Sequence, residues 1–516
     1  MKVNSASQIK LGMILSYLNI GIGNLIPLFY TPIMLSLLGQ NEYGLYKIAS
    51  STTSYLSLLA FGIGGAVTRY LIKANTEGGK EAEENIFGFF NLLFQGISII
   101  TIIVGGILTL NLGVFYSESL NSSELLNMKI LVAILVVNTA VGFSATSYNS
   151  VVSSHERFVF IHIINIISTT IAPIANLVVL FCGYKSIGMV ISSLILNIFT
   201  RILYIIYVRK SLHLRPEYKR LPFKLIKEIF VFSFWLFVAH IVGQLYNSTD
   251  VVIIGMVPSL ATIGAAVYSI GYTFPNIMFS LAQVTPGLFM PRVNRMVFGG
   301  STDKELTDLV IKVGRSQGYI VALVCSGFIA FGKPFLNFYA GPEYLEGYWV
   351  ATIIMIPNCI PLVQSAANSI IQAKNKHKFR SILYIFLAVG NVFATWFLVH
   401  CFGIIGAAIP TGTIYLIGNG LIMNWYYWKK IHLDIPRFWK NVIPIFLVST
   451  VLCVTTLIIS NFIDFYNIYI MIVGIVVFTT VYCICNWFIV MNDDEKNLFI
   501  KPLKKIILKI NKKGCI

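Results

Sequence analysis

The sequence predicts an all-α integral membrane protein of fourteen transmembrane helices, and three observations predict it. Of its 516 residues, 56% are hydrophobic and only 11% charged, against about 25% charged in an ordinary soluble domain. The apolar residues come in long uncharged runs, such as Ile86 to Leu112 and Val442 to Ile463. A bilayer core of ~30 Å is crossed by about 20 such residues in a helix. Finally, Lys and Arg concentrate in alternate segments between the runs, as they do on the cytoplasmic side of a multi-spanning chain.

Taken in order, the runs place helices at 10–38, 43–72, 86–112, 127–153, 158–182, 186–208, 227–258, 263–290, 313–338, 347–373, 379–400, 404–428, 441–462 and 467–491. The first follows Lys2 and Lys10, as a signal peptide would. It is too long for a signal h-region, however, and lacks an A-x-A-like cleavage site, so it reads as a span. Pro27 and Pro32 in that helix, Pro275 in the eighth, Pro357 and Pro361 in the tenth and Pro410 in the twelfth mark bends. Bending at Pro27, in the helix that opens the first bundle, makes a candidate gate.

Charge placement tests the count. With the N-terminus cytoplasmic, the outer loops contain Lys185 and Lys333 as their basic residues, and Lys47, Lys129 and Arg201 lie within helices. All the remaining basic residues fall in inner segments. The outer loops collect carboxylates instead: Glu42, Glu118, Glu124, Glu343, Glu346 and Asp464. One missed helix would scramble this alternation downstream, so both termini are expected inside. The net charge of +17 then reflects the positive-inside rule and anionic lipid headgroups rather than a nucleic-acid partner. In the tail, Phe499, Leu503, Ile506, Ile507 and Ile510 form one apolar stripe among lysines, which suits the inner membrane surface.

Enzymatic readings find little support. The loops are too short to hold an active site, and the outer ones are nearly free of Arg, which disfavours a membrane glycosyltransferase or polymerase. Gly327 to Lys333 resembles part of a P-loop, but Pro334 stands where Ser or Thr would hold Mg²⁺ and the run lies in a helix. The eight cysteines are scattered without metal-ligand spacing. No cofactor or metal is expected.

Shifting the chain by about 220 residues lays helices one to six on helices seven to twelve. Asn149-Ser150-Val151-Val152 with His155-Glu156-Arg157-Phe158 recurs as Asn368-Ser369-Ile370-Ile371 with His377-Lys378-Phe379. Tyr43 to Tyr46 and Ile263 to Ala266 form a second matching pair, both read as short outer turns. A third pair of turns is Cys182 to Gly188 with Cys401 to Gly406. Repeats of six helices begin and end on the same side, so they are parallel, related by an axis along the membrane normal. The organisation predicted is therefore a six-helix bundle over 1–210, a cytoplasmic basic linker over 211–226, and a second six-helix bundle over 227–430. An extra helix pair over 431–491 and a basic amphipathic tail over 492–516 complete it. Two such bundles enclose a central cavity that rocking exposes to either side.

This 6+6+2 plan resembles the multidrug/oligosaccharidyl-lipid/polysaccharide exporter superfamily, and within it the polysaccharide (O-antigen or capsule repeat-unit) flippase family. So does the opening NLIPLFYTPIMLSLLGQNEYGLYKIAS with its LLG-x-x-x-YGLY turn, and the Arg/Lys-Phe step after helices four and ten. The resemblance implies a bacterial cytoplasmic-membrane flippase. Its substrate would be an undecaprenyl-pyrophosphate-linked oligosaccharide repeat unit, carried from the inner to the outer leaflet by alternating access. It also implies membrane lipids, a polysaccharide polymerase or other assembly proteins as partners, and a lipid-tail groove at the extra helix pair. Alternatives are a multidrug exporter of the related branch, a peptidoglycan lipid precursor flippase and a non-transporting membrane scaffold.

A lipid-linked pyrophosphate needs cations inside a wet cavity, and ionisable residues within spans tend to face one. Lys47 and Arg201 are the candidates to attract it, unless they snorkel to the nearest interface. Asp250, with Gln244 on a preceding turn, would pair with a basic group or bind a coupling cation. His240 reads as a packing residue. Arg69 and Arg292, near the inner ends of helices two and eight, could meet an arriving phosphate or simply anchor. Asn149 and Asn368, like Asn138 and Asn358, match across the repeat. They read as interhelical hydrogen-bonding groups or as sugar contacts.

Overall fold

The computed structural model describes residues 5–219, 221, 225–497 and 500. Among them it is helical throughout its spans, with no strand. The helices are α1 Ser5–Ser54, α2 Gly64–Leu110, α3 Leu112–Tyr116, α4 Ser122–Ser154, α5 Phe158–Phe181, α6 Lys185–Ser211, α7 Leu225–Met256 and α8 Ala261–Ala282. They continue as α9 Val284–Phe298, α10 Asp303–Tyr339, α11 Gly347–Val363, α12 Ser365–Ala373, α13 Lys378–Ile414, α14 Asn424–Lys429, α15 Ile435–Ile459 and α16 Ile468–Cys485. Two compact units result, one from residues 1–271 with 381–411 and one from residues 272–380 with 412–516.

Nine helical stretches of the described residues are long and apolar enough to cross a membrane, or ten if α11 and α12, bent by 46°, count as one. The chain is thus a multi-pass membrane protein. The structure joins some of the expected spans, because a helix can reverse at a single glycine without an intervening loop. All but the ends of the runs expected at 10–38, 43–72 and 86–112 fall in one stretch from Leu18 to Leu110. It is broken at Gly39 (φ 74°) and Gly79 (φ 64°), conformations that a residue with a Cβ avoids. The outer turn expected at Tyr43–Tyr46 therefore falls four residues earlier, and Tyr43 to Tyr46 are helical. Gly44 answers a different need: a Cβ there would lie 1.8 Å from the Thr262 carbonyl oxygen. The turn expected at Cys401–Gly406 is likewise a break at Gly403.

Helix starts follow local chemistry. Asn121 caps α4 and Thr302 caps α10, each in a reciprocal capping box with a glutamate three residues on. In the first unit α2, α4, α5 and α6 pack around Phe87, Phe90, Phe94, Tyr148 and Val151. In the second, α10, α15 and α16 close on Phe331, Cys453 and Phe478. Lipid is as apolar as these side chains, so close packing rather than water exclusion supplies the cohesion. Residues such as Ile99, Ile103, Ile107 and Leu110 on α2 are exposed and form its lipid face.

The expected basic linker begins as a docked segment. The Glu217 N–H donates to the Glu84 carbonyl at 3.0 Å, the Arg215 N–H to Glu84 Oε1 at 3.0 Å, and the Tyr218 hydroxyl to Asn91 Oδ1 at 3.0 Å. The apolar stripe expected on the tail, Phe499 to Ile510, lies outside the described residues.

Candidate functional site

In the first unit α7 carries a polar face through an apolar environment. Its turns bring Gln244, Ser248 and, two residues further, Asp250 toward the end of α1 and the 3-10 turn Tyr55–Ala60. Gln244 Nε2 donates to the Ser54 carbonyl at 2.5 Å and to Ser57 Oγ at 2.8 Å, and Ser54 Oγ donates to Ser248 Oγ at 2.8 Å. Tyr55 and Thr249 share a hydrogen bond at 2.5 Å. This network satisfies groups that would otherwise be costly in a bilayer.

Asp250, further along α7, is 2% exposed. Its Oδ2 accepts from the hydroxyls of Tyr268 on α8 and Thr411 on α13 (3.0 Å), and its Oδ1 from Thr395 on α13 (3.2 Å). No basic side chain among the described residues pairs with it. Three neutral hydroxyls gather a buried carboxylate without neutralising it. One turn before Thr395 stands Asn391, 1% exposed, with neither amide atom hydrogen-bonded. A buried amide costs free energy unless something completes it. Asp250 with Tyr268, Thr395 and Thr411 thus gathers a carboxylate and hydroxyl oxygens, oxygen donors of the kind that suit a hard cation.

Arg201 is half-buried on α6, and its buried Nε has no hydrogen-bond partner. One turn earlier Asn197 Nδ2 donates to Asn138 Oδ1 at 2.9 Å, so Asn138 serves helix–helix bonding. Lys47 is half-buried on α1, its Nζ 5.3 Å from the Tyr43 ring centroid. Asn149, Arg69 and His240 are exposed. In the second unit Arg292 is exposed on α9, and half-buried Asn368 on α12 accepts from the Tyr427 hydroxyl at 2.7 Å. Within the first unit, then, Gln244 ties α7 to the end of α1 and Asp250 is held by hydroxyls of α8 and α13, two separate sets of hydrogen bonds on one helix, and neither set includes Lys47 or Arg201.

Sequence reasoning missed Tyr268, Asn391, Thr395 and Thr411. A threonine in an apolar helix ordinarily bonds back to its own preceding turn, so its spacing carries no signal. It also missed two largely buried carboxylates and their partners. Glu83, 2% exposed, accepts from Asn75 at 2.6 Å and meets His155 Nε2 at 2.8 Å. Arg315 on α10 holds Glu495, beyond α16, at 2.7 Å. The P-loop-like run from Gly327 to Lys333 lies inside α10.

Comparison with known proteins gives this geometry its context. A protein of Shigella flexneri named as an O-antigen transporter is 22% identical over 407 residues, 76% of this chain and 90% of its own. A low-salt glycan biosynthesis flippase, so named, of Haloferax volcanii is 22% identical over 204 residues, 39% of this chain and 42% of that protein. Among solved structures, the inward closed lipid II flippase MurJ superposes with a TM-score of 0.64 at 15% identity, covering 92% of this chain and 98% of that one. An inward-facing MATE multidrug transporter of the MOP superfamily gives 0.63 at 12%, covering 85% and 100%. Residues 10–290, more than half the chain, match the model of the polysaccharide biosynthesis protein family, and to that family the chain belongs.

Proposed function

We propose that this protein flips an undecaprenyl-pyrophosphate-linked oligosaccharide from the inner to the outer leaflet of a bacterial cytoplasmic membrane. It would do so by alternating access, with fourteen spans, two six-helix repeats and both termini inside. The observation that carries the reading is Arg201. A guanidinium is held within a span with its buried Nε unpartnered, a costly arrangement that an anion would relieve. Lys47 supplies a second cation in the same unit, and Arg69 and Arg292, exposed on α2 and α9, would meet the phosphates arriving at the inner leaflet. Asn149 and Asn368 would bond the sugars. The names of the relatives support a glycan cargo. The helix count is supported by the breaks at Gly39, Gly79 and Gly403, which divide the merged stretches where the charge alternation requires.

Asp250, with Thr395, Thr411 and Asn391, would carry the coupling cation, and Gln244 would fix α7 against α1. Each charge moved across 100 mV contributes about 2.3 kcal/mol. A second reading, export of a cationic drug, has one observation in its favour: a deeply buried carboxylate without a basic partner.

The test is the leaflet distribution of undecaprenyl-linked oligosaccharide in cells depleted of the protein. Depletion should trap the lipid on the cytoplasmic face and abolish surface polysaccharide. Arg201→Ala with Lys47→Ala should reproduce this while the protein still inserts. An unchanged distribution with new sensitivity to cationic dyes would transfer the argument to the exporter. Movement of peptidoglycan precursor alone, in reconstituted vesicles, would change the cargo.

A further inference from the structure

At one end of the second unit, the C-terminal part of α10, the start of α11 and the turn joining α15 to α16 enclose a cavity of about 370 Å³. That volume lies within the range of small-ligand pockets. Lys333, Tyr348, Trp349, Ser460, Asp464 and Tyr466 line it. Lys333 Nζ stands 5.3 Å from the Tyr348 ring and 5.1 Å from the Trp349 ring, and forms no hydrogen bond or ion pair among the described residues. Tyr348 is fixed by donating its hydroxyl to the Ile329 carbonyl at 2.9 Å. Asp464 Oδ1 accepts from the Tyr466 N–H at 2.9 Å, and its Oδ2 has no partner among the described residues.

Trp and Tyr at a membrane interface often form an aromatic belt with a snorkelling lysine. Here the rings instead wall a recess that also contains a carboxylate and a hydroxyl. The charges on the two sides cancel. A pyrophosphate would call for uncompensated cations, and a cationic drug for an uncompensated carboxylate. A neutral polyhydroxylated ligand uses both, taking hydrogen bonds from Lys333, giving them to Asp464 and Ser460, and laying its C–H face on an aromatic ring.

We propose that this cavity is a docking pocket for a neutral saccharide, the glycan end of the cargo; the inference rests on the flippase reading. Charge alternation along the chain assigns the pocket to the outer face, where the translocated sugar would emerge. Trp349 is the stacking surface, and Asp464 and Lys333 select the hydroxyl pattern.

The test uses the full chain in lipid nanodiscs. The probe is lipid-free oligosaccharide released by mild acid from the host's surface polysaccharide, followed by saturation-transfer NMR and tryptophan fluorescence. Wild type should bind. Trp349→Ala and Asp464→Asn should each weaken binding about tenfold, the loss expected of an anchoring contact. Trp349 is 46% exposed, so its removal should leave the melting temperature unchanged. No binding by wild type, equal binding by both variants, or displacement by inorganic pyrophosphate would overturn the proposal. The two readings fail separately. Flipping in vesicles without pocket binding removes the pocket alone, whereas sugar binding by a chain that flips nothing supports the pocket and removes the flippase.

Discussion

Replacing Glu495 by Ala would strand Arg315 inside the second unit. The guanidinium gives Nε and Nη2 to the two carboxylate oxygens at 2.7 and 2.8 Å, Nη1 to the Asn441 carbonyl at 2.7 Å, and Nη2 also to Tyr319 and the Val490 carbonyl at 2.8 Å. Its side chain is 8% exposed and that of Glu495 12%, so solvent screening is slight. Removing one partner of such a pair costs ~3–5 kcal/mol, because the other charge stays buried. Arg315→Met should cost a similar amount. The double variant should cost less than the sum by ~2–3 kcal/mol, the coupling between residues in one network. Unfolding by sodium dodecyl sulfate in mixed micelles, followed by tryptophan fluorescence, measures all three. Strictly additive losses, or a single loss below ~1 kcal/mol, would refute the reasoning. The pH dependence has a defined sign. Burial raises the Glu495 carboxyl, but hydrogen bonds from Arg315, the Asn492 N–H and Tyr319 with the Arg315 charge outweigh it and hold it below its ordinary value. The contribution is therefore fully present above the unfolded value of ~4.3 and is lost as the pH falls through the lowered folded value.

Asp250→Asn should abolish any dependence of flipping on an ion gradient while leaving insertion intact; a variant with wild-type gradient dependence would remove Asp250 from coupling. Thr411→Val deletes one hydroxyl from the same carboxylate. With Asp250 as the proposed cation ligand, it should cost about 1 kcal/mol, or about fivefold in cation affinity, read from the ion concentration at half-maximal transport, and an unchanged midpoint would remove Thr411 from the proposed site. Gly88→Ala would place a Cβ 1.8 Å from the Glu217 carbonyl oxygen and should cost ~1–3 kcal/mol. Displacing the docked segment should speed tryptic cleavage at Arg215 and Lys219, and unchanged cleavage would contradict the contact.

Class and membrane character were legible because lipid imposes them on every span: long apolar runs and alternating basic segments are statistical demands repeated along the chain. Where helices reverse was less so. The sequence offers both Gly39 and Gly44 around one turn, and only the backbone distinguishes the residue that adopts a positive φ from the one that lets Thr262 approach. The candidate site was half legible. Asp250 and Gln244 stand out because charge and amides are rare in spans. Thr395 and Thr411 lie about 150 residues downstream in sequence and join Asp250 only through tertiary folding, which no periodicity encodes. Glu495 could not be read at all, since a carboxylate just past the last span looks like ordinary interfacial charge until Arg315 is placed beside it.

The pair Arg315–Glu495 also imposes a schedule on biosynthesis. The two residues are 180 positions apart, and at about 5–20 residues per second the ribosome needs roughly 10–40 s to travel between them. During that interval the guanidinium of α10 waits for a carboxylate that has not been made. The second unit cannot close its inner polar network until synthesis has passed α16. A nascent chain arrested before Glu495 carries an uncompensated charge, a mark by which membrane quality control could tell an unfinished transporter from a finished one.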